Sequence, residues 1–349
     1  MVSMDILDNP NVVAQRDPEH TTDVIAREWE QVALEQSIEQ GPSDTPEITR
    51  LVVAGMGGSA LAADMAKDWL ELAIPFEVVK GYDLPAYVDS STLVVASSFS
   101  GNTEETLSAL AQAQEKGAHV VAIAKGGKLL DAAKAANLPY IQMVWEHQPR
   151  MGMFMNLNAL IRLLVSYRVV AEERISELAV LAPWLEAETK QWVSEVPGES
   201  NLAKQLASWC AGKVPMIYSG SHIKSVAYKW KISFNENSKN VAFWNEIPEF
   251  NHNEFIGWAS HPVEKPFAVI DLRSSFDHPR IVKRFETSDR LLSGLRPAAK
   301  TIELRGDSRL AQMLWGAILA DFVSVYLGIL NGVDPMKVEL VERFKVELG

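Results

Sequence analysis

The chain has 349 residues, 47% of them hydrophobic and 22% charged. These values are near the average for folded globular proteins and exclude a disordered, fibrous or disulfide-dense chain. With 33 Lys and Arg against 45 Asp and Glu, the net charge is -12, which makes a poor general nucleic-acid binder. A small anion held at one locally positive site remains compatible with that charge. Cys210 is the single cysteine, so no intrachain disulfide and no multi-cysteine zinc site is expected, and the setting predicted is reducing and cytoplasmic. Met1 to Asp5 shows no basic region followed by an apolar core and is not read as a signal peptide.

At roughly 150 residues per domain, the length predicts two domains. Residues 20–40 read as a helix with Ile25, Trp29, Val32 and Ala33 on one face. The apolar run Leu51 to Ala54 then leads into Gly55-Met56-Gly57-Gly58-Ser59 and a helix bearing Ala62, Met65, Ala66, Trp69 and Leu70. Further strands are predicted at Phe76 to Lys80, Thr92 to Ala96, His119 to Ala124 and Pro139 to Val144, with helices between them. Near-continuously apolar strands alternating with helices specify a parallel sheet covered on both faces. Met153 to about Val193 reads as helical throughout. The alternation then restarts, with strands at Pro215 to Tyr218, Phe267 to Ile270 and Thr301 to Leu304. The divisions expected are 20–152 for a first α/β domain, 153–195 for a helical linker and 196–349 for a second α/β domain. The apolar stretch Leu314 to Leu330 carries Asp321 in its middle and is shorter than the ~20 residues of a membrane span. It is read as a buried helix, with no membrane contact expected.

Two loops carry anion-binding chemistry. Gly55-Met56-Gly57-Gly58-Ser59-Ala60 fits G-x-G-x-x-A between a strand and a helix, where glycines let the backbone approach an anion at a helix N-terminus. Ser98-Phe99-Ser100-Gly101-Asn102-Thr103 places hydroxyls at i, i+2 and i+5 around a glycine. Ligands of parallel sheets bind beyond the carboxyl ends of the strands, so one phosphate gripped from both loops is one reading. Simple capping of the next helix by Ser100, Asn102 and Thr103 is the other. Glu104 and Glu105 suit a helix's first turn but must face away from any phosphate. A dinucleotide-binding oxidoreductase also stays open, with Asp83 after the second strand placed to hold a ribose.

The second half supplies acids and bases. Glu236, in Phe234-Asn235-Glu236-Asn237-Ser238-Lys239, and His252, in Pro248-Glu249-Phe250-Asn251-His252-Asn253-Glu254, are suitable proton-transfer partners. Helix-end glutamates and loop histidines are more often solvated or structural. The seven histidines are dispersed with no H-x-x-x-H pair, so no metal is expected. Lys345 shares a helical stripe with Val338, Val341 and Leu348 where an apolar residue is expected. It is read either as a snorkelling lysine or as a lysine aimed into a cleft. Arg150 falls at the expected domain junction, where clefts form, although a linker arginine taken alone is more often simply solvated.

Gly57-Gly58-Ser59 together with Ser98-Phe99-Ser100-Gly101-Asn102-Thr103-Glu104-Glu105-Thr106 resembles the signature of the sugar isomerase (SIS) domain. Phe99 stands where that family often has tyrosine. The resemblance implies flavodoxin-like αβα sandwiches, here two with linking and terminal helices, and a phosphosugar ligand. It implies Gly57, Gly58, Ser59, Ser98, Ser100 and Thr103 around the phosphate. Pro149-Arg150, Tyr228-Lys229-Trp230-Lys231, Asn235 to Lys239, Glu246 to Glu254 and Glu342-Arg343-Phe344-Lys345 narrow the resemblance, from about residue 20 to 349, to the bifunctional phosphoglucose/phosphomannose isomerases. That branch implies Glu236 as the isomerisation base, His252 and Lys345 in ring opening, and Arg150 beside the developing enediolate. It also implies a homodimer whose histidine enters the neighbouring subunit's site, with no metal or redox cofactor. The reaction implied interconverts glucose 6-phosphate, and mannose 6-phosphate, with fructose 6-phosphate. A regulatory phosphosugar-binding protein would keep the loops and dispense with Glu236, His252 and Lys345.

Overall fold

A computed structural model describes residues 4–42, 46–260 and 264–348. Residues 1–3, part of the stretch read against a signal peptide, lie outside the described residues. Internal packing divides the chain into two compact units, one of Arg27–Trp184 and one of the residues up to Ala26 with those from Leu185 onward.

The chain opens with α1 (Pro10–Arg16) and α2 (Thr21–Ile25), and α2 packs on the second unit's long helix. The single helix predicted over 20–40 is therefore not formed. After α2 a 3-10 turn covers Glu28–Ala33 and Leu34 is extended. The three-residue repeat of that turn aligns Glu28 and Gln31, both buried. The Gln31 amide donates to the Met151 carbonyl at 2.7 Å and accepts the Met155 N–H at 2.9 Å. Bonds spanning 120 residues decide this backbone, and a local apolar pattern does not contain them.

The first unit holds β1 (Arg50–Gly55), α3 (Gly57–Leu70), β2 (Phe76–Val79), β3 (Thr92–Ser97), α4 (Glu104–Glu115), β4 (His119–Ala124), α5 (Gly127–Ala135) and β5 (Tyr140–Gln142). Its sheet runs β2-β1-β3-β4-β5, parallel throughout. Residues 51–55 and 92–97 are buried without a break, as strands covered on both faces require. Within the stretch read as a helical linker, α6 (Met153–Ser166) packs on α3, α7 (Glu173–Ala179) packs on α6, and α8 (Ala182–Thr189) spans the change from one unit to the other.

The second unit continues with α9 (Leu202–Cys210), β6 (Val214–Gly220), α10 (Lys224–Asn237), β7 (Phe243–Ile247), α11 (Glu254–Gly257), β8 (Phe267–Arg273), α12 (Pro279–Leu291), β9 (Lys300–Glu303), α13 (Arg309–Asn331) and α14 (Glu339–Leu348). Its parallel sheet runs β7-β6-β8-β9. Strand β7 has no counterpart among the predicted strands, because it is an edge strand whose Phe243-Trp244-Asn245-Glu246 stays partly solvated. On one face of this sheet α10 packs on β6 and β7, with α13 against α10 and α9 against α13. The other is covered by α12 and the segment after β7, where Phe250, Trp258, Phe285 and Leu292 cluster over Tyr218 and Val269. Every residue of α13 from Leu310 to Leu330 is buried. This helix has 23 residues and is long and apolar enough to cross a membrane, so its length does not distinguish it from a span as expected. Its burial inside the unit makes it a core helix.

Candidate active site

Both loops singled out in the first half open from neighbouring strands at the switch point of the sheet, where β1 and β3 pair Gly55 with Ser97 and their connections diverge. Gly57, at φ +52°, takes a left-handed conformation that glycine adopts without penalty. No side chain caps α3, and an uncapped helix N-terminus is the kind of site that binds anions. Ser59 is buried, and its Oγ accepts from Asn156 Nδ2 at 3.3 Å, which leaves the hydroxyl proton to donate elsewhere. The same Asn156 amide reaches Ser97 Oγ at 2.9 Å.

In the second loop Ser98 Oγ lies 2.7 Å from Thr103 Oγ1 and accepts the Gly101 N–H at 3.1 Å, while Ser100 Oγ accepts the Asn102 N–H at 3.2 Å. Thr103 precedes α4 without making a side-chain cap, so the capping reading does not describe it. Gly101, at φ +72°, is buried, and a side chain there would collide with the Gly126 carbonyl. The loop after β4 braces it. Lys125 N–H donates to Phe99 O at 3.0 Å, Leu129 N–H to Gly101 O at 2.9 Å and Lys128 N–H to Asn102 Oδ1 at 3.1 Å. Glu104 accepts from the Tyr82 hydroxyl at 3.1 Å and is engaged away from the loop's hydroxyls.

Arg150 sits in a 3-10 turn, Pro149–Gly152, and is 4% exposed, so the solvated-linker alternative does not hold. The turn packs on the glycine loop so closely that a Cβ on Gly58 would lie 3.2 Å from Pro149 O and 3.4 Å from Arg150 Cα. The first unit thus gathers Gly57, Gly58, Ser59, Ser98, Ser100, Thr103 and Arg150 at the carboxyl edge of one sheet.

In the second unit, Glu236 is the penultimate residue of α10 and is partly buried. Helices α10 and α13 both run back from strand ends, so they finish at the same edge. Asn331 Nδ2 donates to Ser238 O at 3.0 Å, and Gly328 allows the Asn237 carbonyl to approach. His252, exposed, closes the 3-10 turn Glu249–His252 on the opposite face of the sheet, in the α12 layer. Within one chain the sheet separates the layers that carry Glu236 and His252. Lys345 is exposed, and α14 buries no residue, so the stripe of Val338, Val341 and Leu348 does not pack into the core.

Residues 47–165 match the SIS domain family, and residues 199–348 match the family described as bacterial phospho-glucose isomerase C-terminal SIS domain. A bifunctional phosphoglucose/phosphomannose isomerase of Caldicellulosiruptor bescii is 37% identical over 309 residues, covering 87% of this chain and 90% of that one. The Aquifex aeolicus protein of the same name is 32% identical over 324 residues, 92% of this chain and 94% of its own. The chain belongs to the bifunctional phosphoglucose/phosphomannose isomerase family. Its fold is also that of a hypothetical protein from Thermus thermophilus, with a TM-score of 0.70 at 16% identity, covering 97% of this chain and 89% of that one.

Two features of this family member escaped the sequence reading. Beneath His252, Tyr218 donates its buried hydroxyl to Glu254 Oε1, and Asn245 Nδ2 holds the other carboxylate oxygen at 2.9 Å. Burial and the adjacent Glu254 carboxylate push the Tyr218 phenol far above its ordinary pKa, so it stays a donor. Beneath Glu236, Lys229, Ser233 and Asn237 form an i, i+4, i+8 stripe facing Asp321 and Ser324 of α13. The readable signal was Asp321 inside an apolar run. A cavity of about 470 Å³ lined by Asp8, Val13, Asp17 and Ser194 contains none of the candidate residues. Among the described residues no group of three or more His, Cys, Asp or Glu is placed to hold a metal ion.

Proposed function

We propose that this chain is a sugar-phosphate isomerase that interconverts glucose 6-phosphate, and mannose 6-phosphate, with fructose 6-phosphate through a cis-enediol. The observation that carries this reading is the hydroxyl loop Ser98–Thr103. Its threonine bonds within the loop instead of capping α4, beside an uncapped helix N-terminus and a buried arginine. Hydroxyls and N–H groups there hold the phosphate and position the reacting carbons away from it. Glu236 moves the carbon-bound proton between C1 and C2, and a carboxylate does this best with its pKa raised toward the working pH. Arg150 provides a permanent positive charge where the enediolate develops. His252 and Lys345 act in ring opening.

The placement of His252 and Glu236 in layers on opposite sides of a sheet supports a homodimer in which His252 of the partner subunit completes the site. The proton transfer takes place within one substrate and consumes no redox cofactor. One buried cysteine, Cys210, suits the reducing, cytoplasmic setting this reading carries.

A coupled assay on glucose 6-phosphate and mannose 6-phosphate, with chelator present, tests the activity. Glu236→Gln should keep fructose 6-phosphate binding and lose turnover by about 10²-fold or more. Unchanged turnover would remove Glu236 from the mechanism, and a parent protein that binds but never turns over would be a phosphosugar sensor.

A further inference from the structure

Lys239 ends the segment that carries Glu236, and its side chain does something the proposed reaction has not used. The backbone turns left-handed at Lys239, φ +56°, and sends the ammonium back across the end of α10. Nζ donates to Glu236 O at 2.9 Å and comes within 3.4 Å of Asn237 O. From the other side it meets Asp334 O at 2.6 Å and Pro335 O at 3.2 Å. Four carbonyls from two segments 95 residues apart in sequence therefore surround one charge. Two belong to the last turn of α10, where a cation is favoured by the helix dipole and by carbonyls left without helical partners. The other two belong to the turn between α13 and α14, the helix that carries Lys345. A lysine capping only its own helix would need neither Asp334 nor Pro335.

We infer that Lys239 is a positioning residue for the isomerisation. Its carbonyl-ringed ammonium fixes the end of α10, and with it Glu236, against the turn that launches the Lys345 helix. This rests on the reading of Glu236 as the base. Displacing a catalytic group by about 1 Å costs roughly 100-fold in rate, while the residues proposed to hold the phosphate make none of Lys239's hydrogen bonds and are untouched. Lys239→Met should therefore lower kcat by about 10- to 100-fold and leave KM within about threefold of the parent. Lys239→Ala should lose a similar factor and regain several-fold of it when n-propylammonium, which restores the missing ammonium, is added.

Both variants should be assayed in the full-length protein beside Glu236→Gln, with thermal unfolding recorded for each. Lys239→Met with kcat within twofold of the parent overturns the proposal. So does a loss of kcat that follows a fall in Tm and that propylammonium does not reverse, because the lysine would then only hold the fold together. A Glu236→Gln enzyme with full turnover overturns the reading beneath it, whatever Lys239 does. Full loss in Glu236→Gln with an unaffected Lys239→Met rejects the positioning role alone.

Discussion

Lys229 Nζ lies 2.7 Å from Asp321 Oδ1 and from Oδ2 with both side chains at most 2% exposed, so the two helices beneath Glu236 are joined through a buried ion pair. Ser233 Oγ, at 2.8 Å, and Asn237 Nδ2, at 3.5 Å, complete the shell of the same carboxylate oxygen. Removing one partner strands the other charge in the core. Asp321→Ala should destabilise the protein by about 3–5 kcal/mol, read as a shift in the denaturant midpoint. Replacing both partners together, Lys229→Met with Asp321→Leu, should recover much of that loss, since the desolvation of two ions disappears with them. A double variant no more stable than Asp321→Ala would mean that the pair itself, and not the uncompensated charge, carries the stability.

The hydroxyl loop makes a prediction about selectivity. Ser100→Ala and Thr103→Ala remove groups that bond within the loop and leave α4 without any lost cap, so the fold should change little. Each should weaken fructose 6-phosphate by about 1.5–3 kcal/mol, the scale of a hydrogen bond to a charged group. An unphosphorylated ketose should bind as before. Isothermal titration of both sugars separates the cases, and equal weakening of the two would assign the loop to shaping the site instead of holding phosphate.

A hybrid dimer tests the origin of the imidazole. A subunit carrying Glu236→Gln joined to one carrying His252→Ala has one intact site if each histidine serves its neighbour, so about half the parent activity returns. If each histidine serves its own subunit, both sites of the hybrid are defective and it stays inactive. Differently tagged subunits purified as the mixed dimer give the comparison directly.

Asp271, on the face of β8 that lies under the His252 layer, makes the stability of the protein depend on pH. Burial pushes its carboxyl up to about 7, and the nearby Arg296 guanidinium offsets this only in part. Between about pH 4 and 7 the unfolded chain releases a proton that the folded chain keeps. Unfolding therefore becomes easier as pH rises through that window, and the penalty is complete above it. Asp271→Asn removes the titration, while Arg296 keeps Asp289 at 2.6 Å. The variant should gain Tm relative to the parent at pH 8 compared with pH 5, by about 2–4 °C per kcal/mol of relief. Parallel Tm–pH curves for the two proteins would show that Asp271 is ionised in the fold throughout.

The alternation of apolar runs and helices, the glycine-rich turn from Gly55 to Gly58, and the spacing of Ser98, Ser100 and Thr103 are local properties, so they could be read residue by residue. They sufficed for the two parallel sheets and for locating the two loops at the strand ends. Edge strand β7 was hidden because four of its five side chains meet solvent, and the helix predicted over 20–40 was broken by bonds that Gln31 makes with residues 120 positions away. The bracing of Gly101 by Gly126, the closeness of Arg150 to Gly58, the polar seam at Asp321 and the ring of carbonyls around Lys239 likewise join segments far apart in the chain. Sequence nominated groups whose chemistry suits holding a phosphate and moving a proton. Tertiary packing alone decided which faces of the sheets they occupy, because burial and hydrogen bonding between distant segments are settled only when the layers come together.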